Sequence, residues 1–339
     1  MATKVAVIGA GSWGTTVACL ICRNVSTVLW ARSAKLAEEI DATRVNRRYL
    51  PEIGLPRHLR ATSRLEEALL DADVVVMAVP SHGFREVLLA ASSSVGPGVP
   101  VVSLTKGLEA TTLLRMSEVI GEILPESPAG VLSGPNLARE VAAGRPAASV
   151  IAVSDPALAT GLQALFSRPS FRVYTNTDLI GCEIAGALKN VTAIAAGMSD
   201  GMGLGDNAKA ALMTRGLAEL ARLGAALGGD PLTFSGLAGM GDLVATCTSA
   251  QSRNRHVGVE LGKGRTIDDV VAEMHMVAEG IKTSRTAVEL AAAHGVELPI
   301  AEQVAAVVGG ETTAADVIPA LMLRQPKPEL EDITVPAER

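Results

Sequence analysis

Val5-Ala6-Val7-Ile8-Gly9-Ala10-Gly11-Ser12-Trp13-Gly14 decides how the first half of the chain is read. An apolar run ends in three glycines at GxGxxG spacing, and a helix-like stretch follows. Gly9 permits a tight turn, Gly11 lets backbone approach a pyrophosphate, and Gly14 lets the helix pack closely on the strand. The helix start then offers unpaired N–H groups and a positive dipole end to phosphate oxygens. A strand, glycine turn and helix in this order predict a dinucleotide site.

The tip of the next strand selects the dinucleotide. An NAD-selective site places Asp or Glu there, about 20 residues past the glycines. Here Thr27-Val28-Leu29-Trp30-Ala31 ends in Arg32-Ser33. A carboxylate would repel a 2′-phosphate, whereas a guanidinium and a hydroxyl bind it. The expected cofactor is NADPH, with NADH also accepted; the plainer alternative is a solvated surface Arg32.

With 339 residues, 48% of them hydrophobic, the chain is long enough for two domains with cores of their own. A net charge of −6 leaves no basic field for nucleic acid or an anionic membrane. An anionic ligand must therefore be held by a local cluster of cations and amides. Lysine is scarce, eight against twenty-two arginines, which draws attention to each Lys in an apolar or Gly-rich setting. Cys19 and Cys22 form a CxxC, but with only Cys182 and Cys247 besides, no second pair completes a zinc spacing. All four are expected to be small core thiols, and no metal site is expected. The apolar stretch 184–197 is interrupted by Lys189 and Asn190, so no membrane insertion is expected. Met1-Ala2-Thr3-Lys4 runs straight into the first strand without a leader-like segment, which points to the reducing cytoplasm.

A continuous apolar run at 74–80 is followed by strand-like segments at 101–105, 131–133, 148–153 and 171–174, separated by helix-like segments. Strands alternating with helices indicate βαβ units, hence an α/β Rossmann-like doubly wound sheet that is mostly parallel. Past Asn176-Thr177-Asp178 the β-branched runs stop, and Ala, Leu and Glu recur at helical spacing to about residue 323. The expected organisation is a dinucleotide-binding domain over 1–180 and an all-α substrate domain over 181–324. A Pro-rich charged tail over 325–339 is expected to be disordered.

Three clusters carry candidate chemistry. Lys106 follows directly on the strand 101–105, which puts an ammonium at a strand's carboxyl end, where such sheets bind ligands. Lys189 shares a helix face with Cys182, Gly186, Ala193, Ala196 and Asp200, at spacings of three and four. Small residues around one ammonium leave volume for a substrate at a domain junction; a snorkelling surface Lys would sit on a polar face instead. Asn190 beside it can supply an amide. The third cluster opens a helix at Ser252, which suits an N-cap, followed by Arg253, Asn254 and Arg255. Two arginines at the positive end of a helix make sense if an anion lies between them, so a phosphate site is expected there. No histidine among His58, His82, His256, His275 and His294 has a metal spacing or a Ser/Asp partner. Proton transfer therefore falls to a Lys.

In combination these motifs resemble the bacterial type of NAD(P)-dependent glycerol-3-phosphate dehydrogenase. The resemblance rests on GAGSWGT at 9–15, SLTKGLE at 103–109, LSGPNLAREVA at 132–142 and LKNVTAIAAG at 188–197. GDNAKAALMTRGLAE at 205–219, GLAGMGDLVATCTS at 236–249, SRNRHVG at 252–258 and AEGIKTSR at 278–285 extend it to about residue 310. It implies reduction of dihydroxyacetone phosphate to sn-glycerol 3-phosphate for phospholipid synthesis, by a homodimer. It implies Lys189 as the acid/base, and Lys106, Asn190 and Asp242 as its companions in the catalytic set. Gly134, Asn136, Asp242, Ser252, Arg253 and Asn254 match substrate positions, although Asn136 stands where many bacterial members carry Ser. Ser12, Trp13, Arg32, Ala138, Val277 and Glu279 match cofactor positions beside the three glycines, and Lys106 and Arg253 match contacts to both ligands. A hydroxy-acid dehydrogenase of similar plan would need a carboxylate clamp. A non-catalytic dinucleotide sensor would leave Lys189 and the Arg253 cluster without a purpose.

Overall fold

The computed structural model describes residues 3–274, 278–326 and 328–329. The run that opens the sequence is strand β1 (Lys4–Ile8), and the glycines lead into helix α1 (Ser12–Ile21). There follow β2 (Ser26–Trp30), α2 (Ala34–Thr43), the short strands β3 (Val45–Asn46), β4 (Leu50–Gly54) and β5 (Arg60–Thr62), and α3 (Leu65–Leu69). Next come β6 (Val74–Met77), α4 (Ser81–Ala91), β7 (Val101–Ser103), α5 (Met116–Ile123) and β8 (Ala129–Ser133). The α/β part closes with α6 (Ala138–Ala142), β9 (Ala147–Val153), α7 (Pro156–Phe166) and β10 (Phe171–Asn176).

Eight strands form one sheet in the order β10-β9-β8-β7-β6-β1-β2-β5. Neighbours pair in parallel except β8 with β9, so β9 and β10 run against the other six. The apolar runs form strands because both faces of this sheet are covered, and side chains alternate between two cores. Val5 and Val7 join Val17, Leu29, Val76, Phe166 and Phe171 on one side. Ala6 and Ile8 join Val28, Met77, Phe84, Leu88 and Val119 on the other.

Chain order reverses at β1, which lies between β2 and β6. The crevice beyond the carboxyl ends of β1 and β6 is therefore the switch point where this topology takes ligands. The glycines are what lets it close. Gly9 sits at φ 120, and a Cβ there would lie 2.4 Å from the Ala78 carbonyl oxygen after β6. A Cβ on Gly14 would lie 2.0 Å from the Gly9 carbonyl oxygen. The antiparallel β3–β4 hairpin and β5 have no counterpart in the sequence reading, because Pro51, Pro56 and several charges mask any alternation.

The chain separates into two compact units: the first ends at Leu179 and excludes Gly107–Leu113, which packs with the second unit beginning at Ile180. The described part of the second unit is helical: α8 (Leu179–Gly201), α9 (Asp206–Ala226), α10 (Pro231–Phe234), α11 (Asp242–Thr248) and α12 (Arg253–Gly262). Then come α13 (Ile267–Glu273), α14 (Glu279–Ala293), α15 (Pro299–Val308) and α16 (Ala314–Met322). The apolar helix α8 is long enough to cross a membrane, but 89% of its apolar window is buried within the protein, as befits a core helix. It meets α12 through glycines. Gly197 and Gly201 on α8 face Gly258 and Gly262 on α12, and a Cβ on Gly258 would fall 2.0 Å from the Ile194 carbonyl oxygen. The two helices thus touch backbone to backbone. A π-helical turn, Leu237–Gly241, leads directly into α11 and places Asp242 at its start.

Glu219 of α9 is buried and accepts the Ile300 N–H at 2.7 Å and the Ala301 N–H at 3.3 Å, capping α15 from another helix. Burial pushes its carboxyl up to about 7, against the pull of those two amides and Arg222, with Glu302 adding to the rise. The folded state thus holds this proton more tightly than the unfolded chain does. The resulting stabilisation is full below about pH 4.5 and is lost as pH rises to about 7. Glu219→Gln is expected to flatten that slope, gaining up to about 3 kcal/mol on wild type between pH 5 and pH 8. Urea unfolding at the two pH values checks it, and parallel curves for the two proteins would contradict it.

Candidate functional site

In the first unit, Gly11 stands at the N-cap of α1, which has no side-chain cap and no acid in its first turn. A helix start left open in this way fits the pyrophosphate of a dinucleotide. Ser12 is its first residue, and its carbonyl accepts the Thr16 hydroxyl at 2.8 Å. Trp13 packs edge-on to Phe171 at 6.1 Å, and its buried indole N–H has no acceptor among the described residues. Arg32 lies exposed just past β2, with no ion pair among the described residues, while Ser33 caps α2 by accepting the Leu36 N–H.

Lys106, half-buried beyond β7, donates to the Gly134 carbonyl oxygen at 2.8 Å. Gly134 needs its φ of 128, and a Cβ there would crowd Ser149 Cα at 3.1 Å. Two residues on, Asn136 Oδ1 accepts the Ser149 hydroxyl, and Asn136 Nδ2 is buried with no acceptor among the described residues. Ala138 opens α6, and its carbonyl accepts the Thr16 hydroxyl of α1 at 3.2 Å. The loop from Gly134 to Ala138 is therefore anchored to both Lys106 and α1. Ser149 has no signal in the sequence beyond its place in a buried strand.

In the second unit, Lys189 sits in the middle of α8 and is 5% exposed. Its ammonium donates to Asp242 Oδ1 at 2.6 Å and to Thr246 Oγ1 at 2.6 Å. Thr246 in turn donates to the Asp242 carbonyl oxygen, one helical turn back. The space that the sequence reading left for a substrate beside Lys189 is thus partly filled by Asp242 and Thr246. Its own helix is small there because α11 brings a carboxylate and a hydroxyl into the space. The sequence signal for Thr246 is its spacing of four from Asp242, which places both on one helix face.

Asn190 Oδ1 accepts from Asn254 Nδ2 at 2.9 Å, and Asn254 Oδ1 accepts the Gly280 N–H at 3.0 Å. Asn254 therefore ties α8 to the start of α14, beside Glu279. Ser252 caps α12, its hydroxyl accepting the Arg255 N–H at 3.2 Å. The expected pair of phosphate-binding arginines is reduced to one. Arg255 is bound through Nε and Nη2 to Asp200, at 2.8 and 2.7 Å, and Lys209 meets the same carboxylate at 2.7 Å. Burial alone would raise the Asp200 pKa, but these cationic hydrogen bonds outweigh it and hold the carboxyl below its usual range. Arg253 remains at the helix start, exposed in area. Protein atoms around its guanidinium lower its pKa, and nearby Glu279 opposes them.

Burial pushes the Cys247 thiol up to about 12 in spite of Lys189, and Cys19 and Cys22 up to about 12 and 11. None of these three is a thiolate near neutral pH. Among the described residues no cluster of His, Cys, Asp and Glu could hold a metal ion. Val277 and His275 lie outside the described residues.

Comparison with known proteins gives concordant matches. Residues 4–159 match the family model for the N-terminus of NAD-dependent glycerol-3-phosphate dehydrogenase, and residues 178–319 match the model for its C-terminus. A glycerol-3-phosphate dehydrogenase [NAD(P)+] of Sphingopyxis alaskensis is 58% identical, over 95% of this chain and 97% of that one. The Mycobacterium avium protein of that description is 50% identical over 96% of each. The crystal structure of glycerol-3-phosphate dehydrogenase from Coxiella burnetii superposes with a TM-score of 0.92 at 37% identity, covering 95% of this chain and 99% of that one.

Removing one partner of a buried ion pair strands the other charge. Lys189→Ala is expected to destabilise the protein by about 3 kcal/mol, because Asp242 loses its ammonium. The neutral double variant Lys189→Met with Asp242→Asn should recover at least half of that loss. Denaturant midpoints measure both, and a Lys189→Ala protein as stable as wild type would refute the coupling.

Proposed function

The chain belongs to the NAD-dependent glycerol-3-phosphate dehydrogenase family, and we propose that it reversibly reduces dihydroxyacetone phosphate to sn-glycerol 3-phosphate. NADPH is the preferred donor because Arg32, not a carboxylate, follows β2, and NADH is accepted as well. The observation that carries this reading is the Lys189 ammonium, buried, with two of its three protons held by Asp242 and Thr246. Its third proton has no acceptor among the described residues and suits a substrate oxygen.

When bound, the reduced nicotinamide supplies a hydride to the C2 carbon. Lys189 gives its proton to the C2 oxygen as negative charge develops there, so that ketone, hydride and proton add up to the alcohol. Asp242 and Thr246 keep the ammonium aimed. Asn190, its amide oriented by Asn254, and Lys106, held on the Gly134 carbonyl, stabilise the developing charge. Arg253 and the α12 start capped by Ser252 hold the phosphate, whose binding energy orients the carbonyl. Asn136 offers its buried N–H to the substrate. Gly9, Gly11, Ser12, Trp13, Gly14 and Ala138 hold the dinucleotide, and Val277 and Glu279 are assigned to it as well. A supply role in glycerophospholipid synthesis, a cytoplasmic setting and a homodimer belong to the same reading.

Oxidation of NADPH by the purified chain, followed by absorbance, tests the proposal. Turnover is expected with dihydroxyacetone phosphate and not with dihydroxyacetone. Reduction of 2-keto acids in its place would overturn the assignment. Arg32→Asp should shift the NADPH-to-NADH ratio of kcat/KM toward NADH by roughly 10- to 100-fold, the range for a lost charged hydrogen bond. An unchanged ratio would remove Arg32 from the cofactor site.

A further inference from the structure

Asn46 is the one member of the short strand β3 that is fully buried, and its side-chain amide is spent on the glycine turn. Nδ2 donates to the Ala10 carbonyl oxygen at 2.9 Å and to Thr15 Oγ1 at 2.9 Å, while Oδ1 accepts the Tyr49 N–H at 3.2 Å. The Ala10 carbonyl can only accept and the Tyr49 amide can only donate, so chemistry leaves one orientation for this side chain. The pairing of β3 with β4 shifts register between Val45 and Asn46.

We propose that Asn46 is a positioning residue that aims the Gly11 N–H at the pyrophosphate of the bound dinucleotide. The Ala10–Gly11 peptide is trans, so its C=O and N–H point in opposite directions. Drawing the Ala10 oxygen onto Asn46 turns the Gly11 N–H to the other side of the loop. The space beside Gly11 Cα is open as well, since a Cβ there would meet no atom within 4 Å, so a ligand can come close to the loop. Gly11 itself cannot hold this peptide, since glycine tolerates either sign of φ and a flip of the plane costs it little. The loop that must be glycine for a ligand to approach therefore needs a lock from outside it. Asn46 is that lock, and Thr15, whose N–H returns to the Gly11 carbonyl at 2.9 Å, braces the other side.

The inference rests on the dinucleotide reading of this loop, and the test separates the two. Fluorescence titration of purified wild type and Asn46→Asp with NADPH is the measurement. The variant keeps the size of the side chain and sets a carboxylate against the Ala10 carbonyl. Its Kd for NADPH is expected to rise about 10- to 100-fold, with KM for NADPH rising in step and kcat falling by less. Affinity for adenosine 2′-monophosphate, which lacks the pyrophosphate, should stay within about 2-fold. A purely structural role would lower Tm and move both ligands together or neither. Wild type that binds neither NADPH nor NADH would sink the dinucleotide reading itself. Wild type that binds NADPH, beside a folded Asn46→Asp with the same Kd, would overturn the role of Asn46 alone. If Asn46→Asp does not fold, Thr15→Val decides: it removes the acceptor that shares the amide and should raise Kd by about 2- to 5-fold, and no rise would overturn the proposal.

Discussion

The helical unit depends on a crossing in which two helices meet without side chains between them. Gly197 and Gly201 of α8 lie on Gly258 and Gly262 of α12, and the Cβ of any other residue would have to occupy backbone. The distance between these helices is therefore set by main chain, which cannot repack as side chains do. From it follow the reach of Asn254 to Asn190, the pairing of Arg255 with Asp200, and the position of the Ser252 cap relative to Lys189. Gly280 extends the principle to a third helix, because a Cβ there would lie 2.7 Å from the Asn190 carbonyl oxygen.

Charge in this unit is distributed by the same geometry. A chain of net charge −6 that binds a phosphorylated substrate has to spend its cations selectively. Arg255 and Lys209 are consumed by Asp200, and Lys189 is held by Asp242. Arg253 stands at the start of α12, which Ser252 caps, where the helix dipole and a guanidinium are of one sign. The first unit follows a parallel logic: the open start of α1 and the exposed Arg32 supply local positive potential, and no basic patch is required.

What could be read from the sequence was whatever is local. The glycine turn, the buried parallel strands and the small face around Lys189 each repeat within a few residues, so periodicity and spacing reveal them. The partners of Lys189 lie 53 and 57 residues further along the chain and arrive only when α11 packs on α8. No pattern within α8 announces a carboxylate from elsewhere. The fate of Arg255 was hidden for the same reason, since Asp200 stands on a different helix. Asn46 was illegible because a two-residue strand has no period to detect, and the family resemblance carried no role to it.

Backbone contact between α8 and α12 positions the chemistry around Lys189. Steady-state kinetics of folded Gly258→Ala measure this, because Gly258 has no assigned ligand contact and a Cβ there changes the helix spacing. The kcat with dihydroxyacetone phosphate is expected to fall by about tenfold or more, the scale of a sub-ångström to ångström misplacement, with KM for NADPH little changed. A folded Gly258→Ala enzyme with wild-type kcat would contradict it.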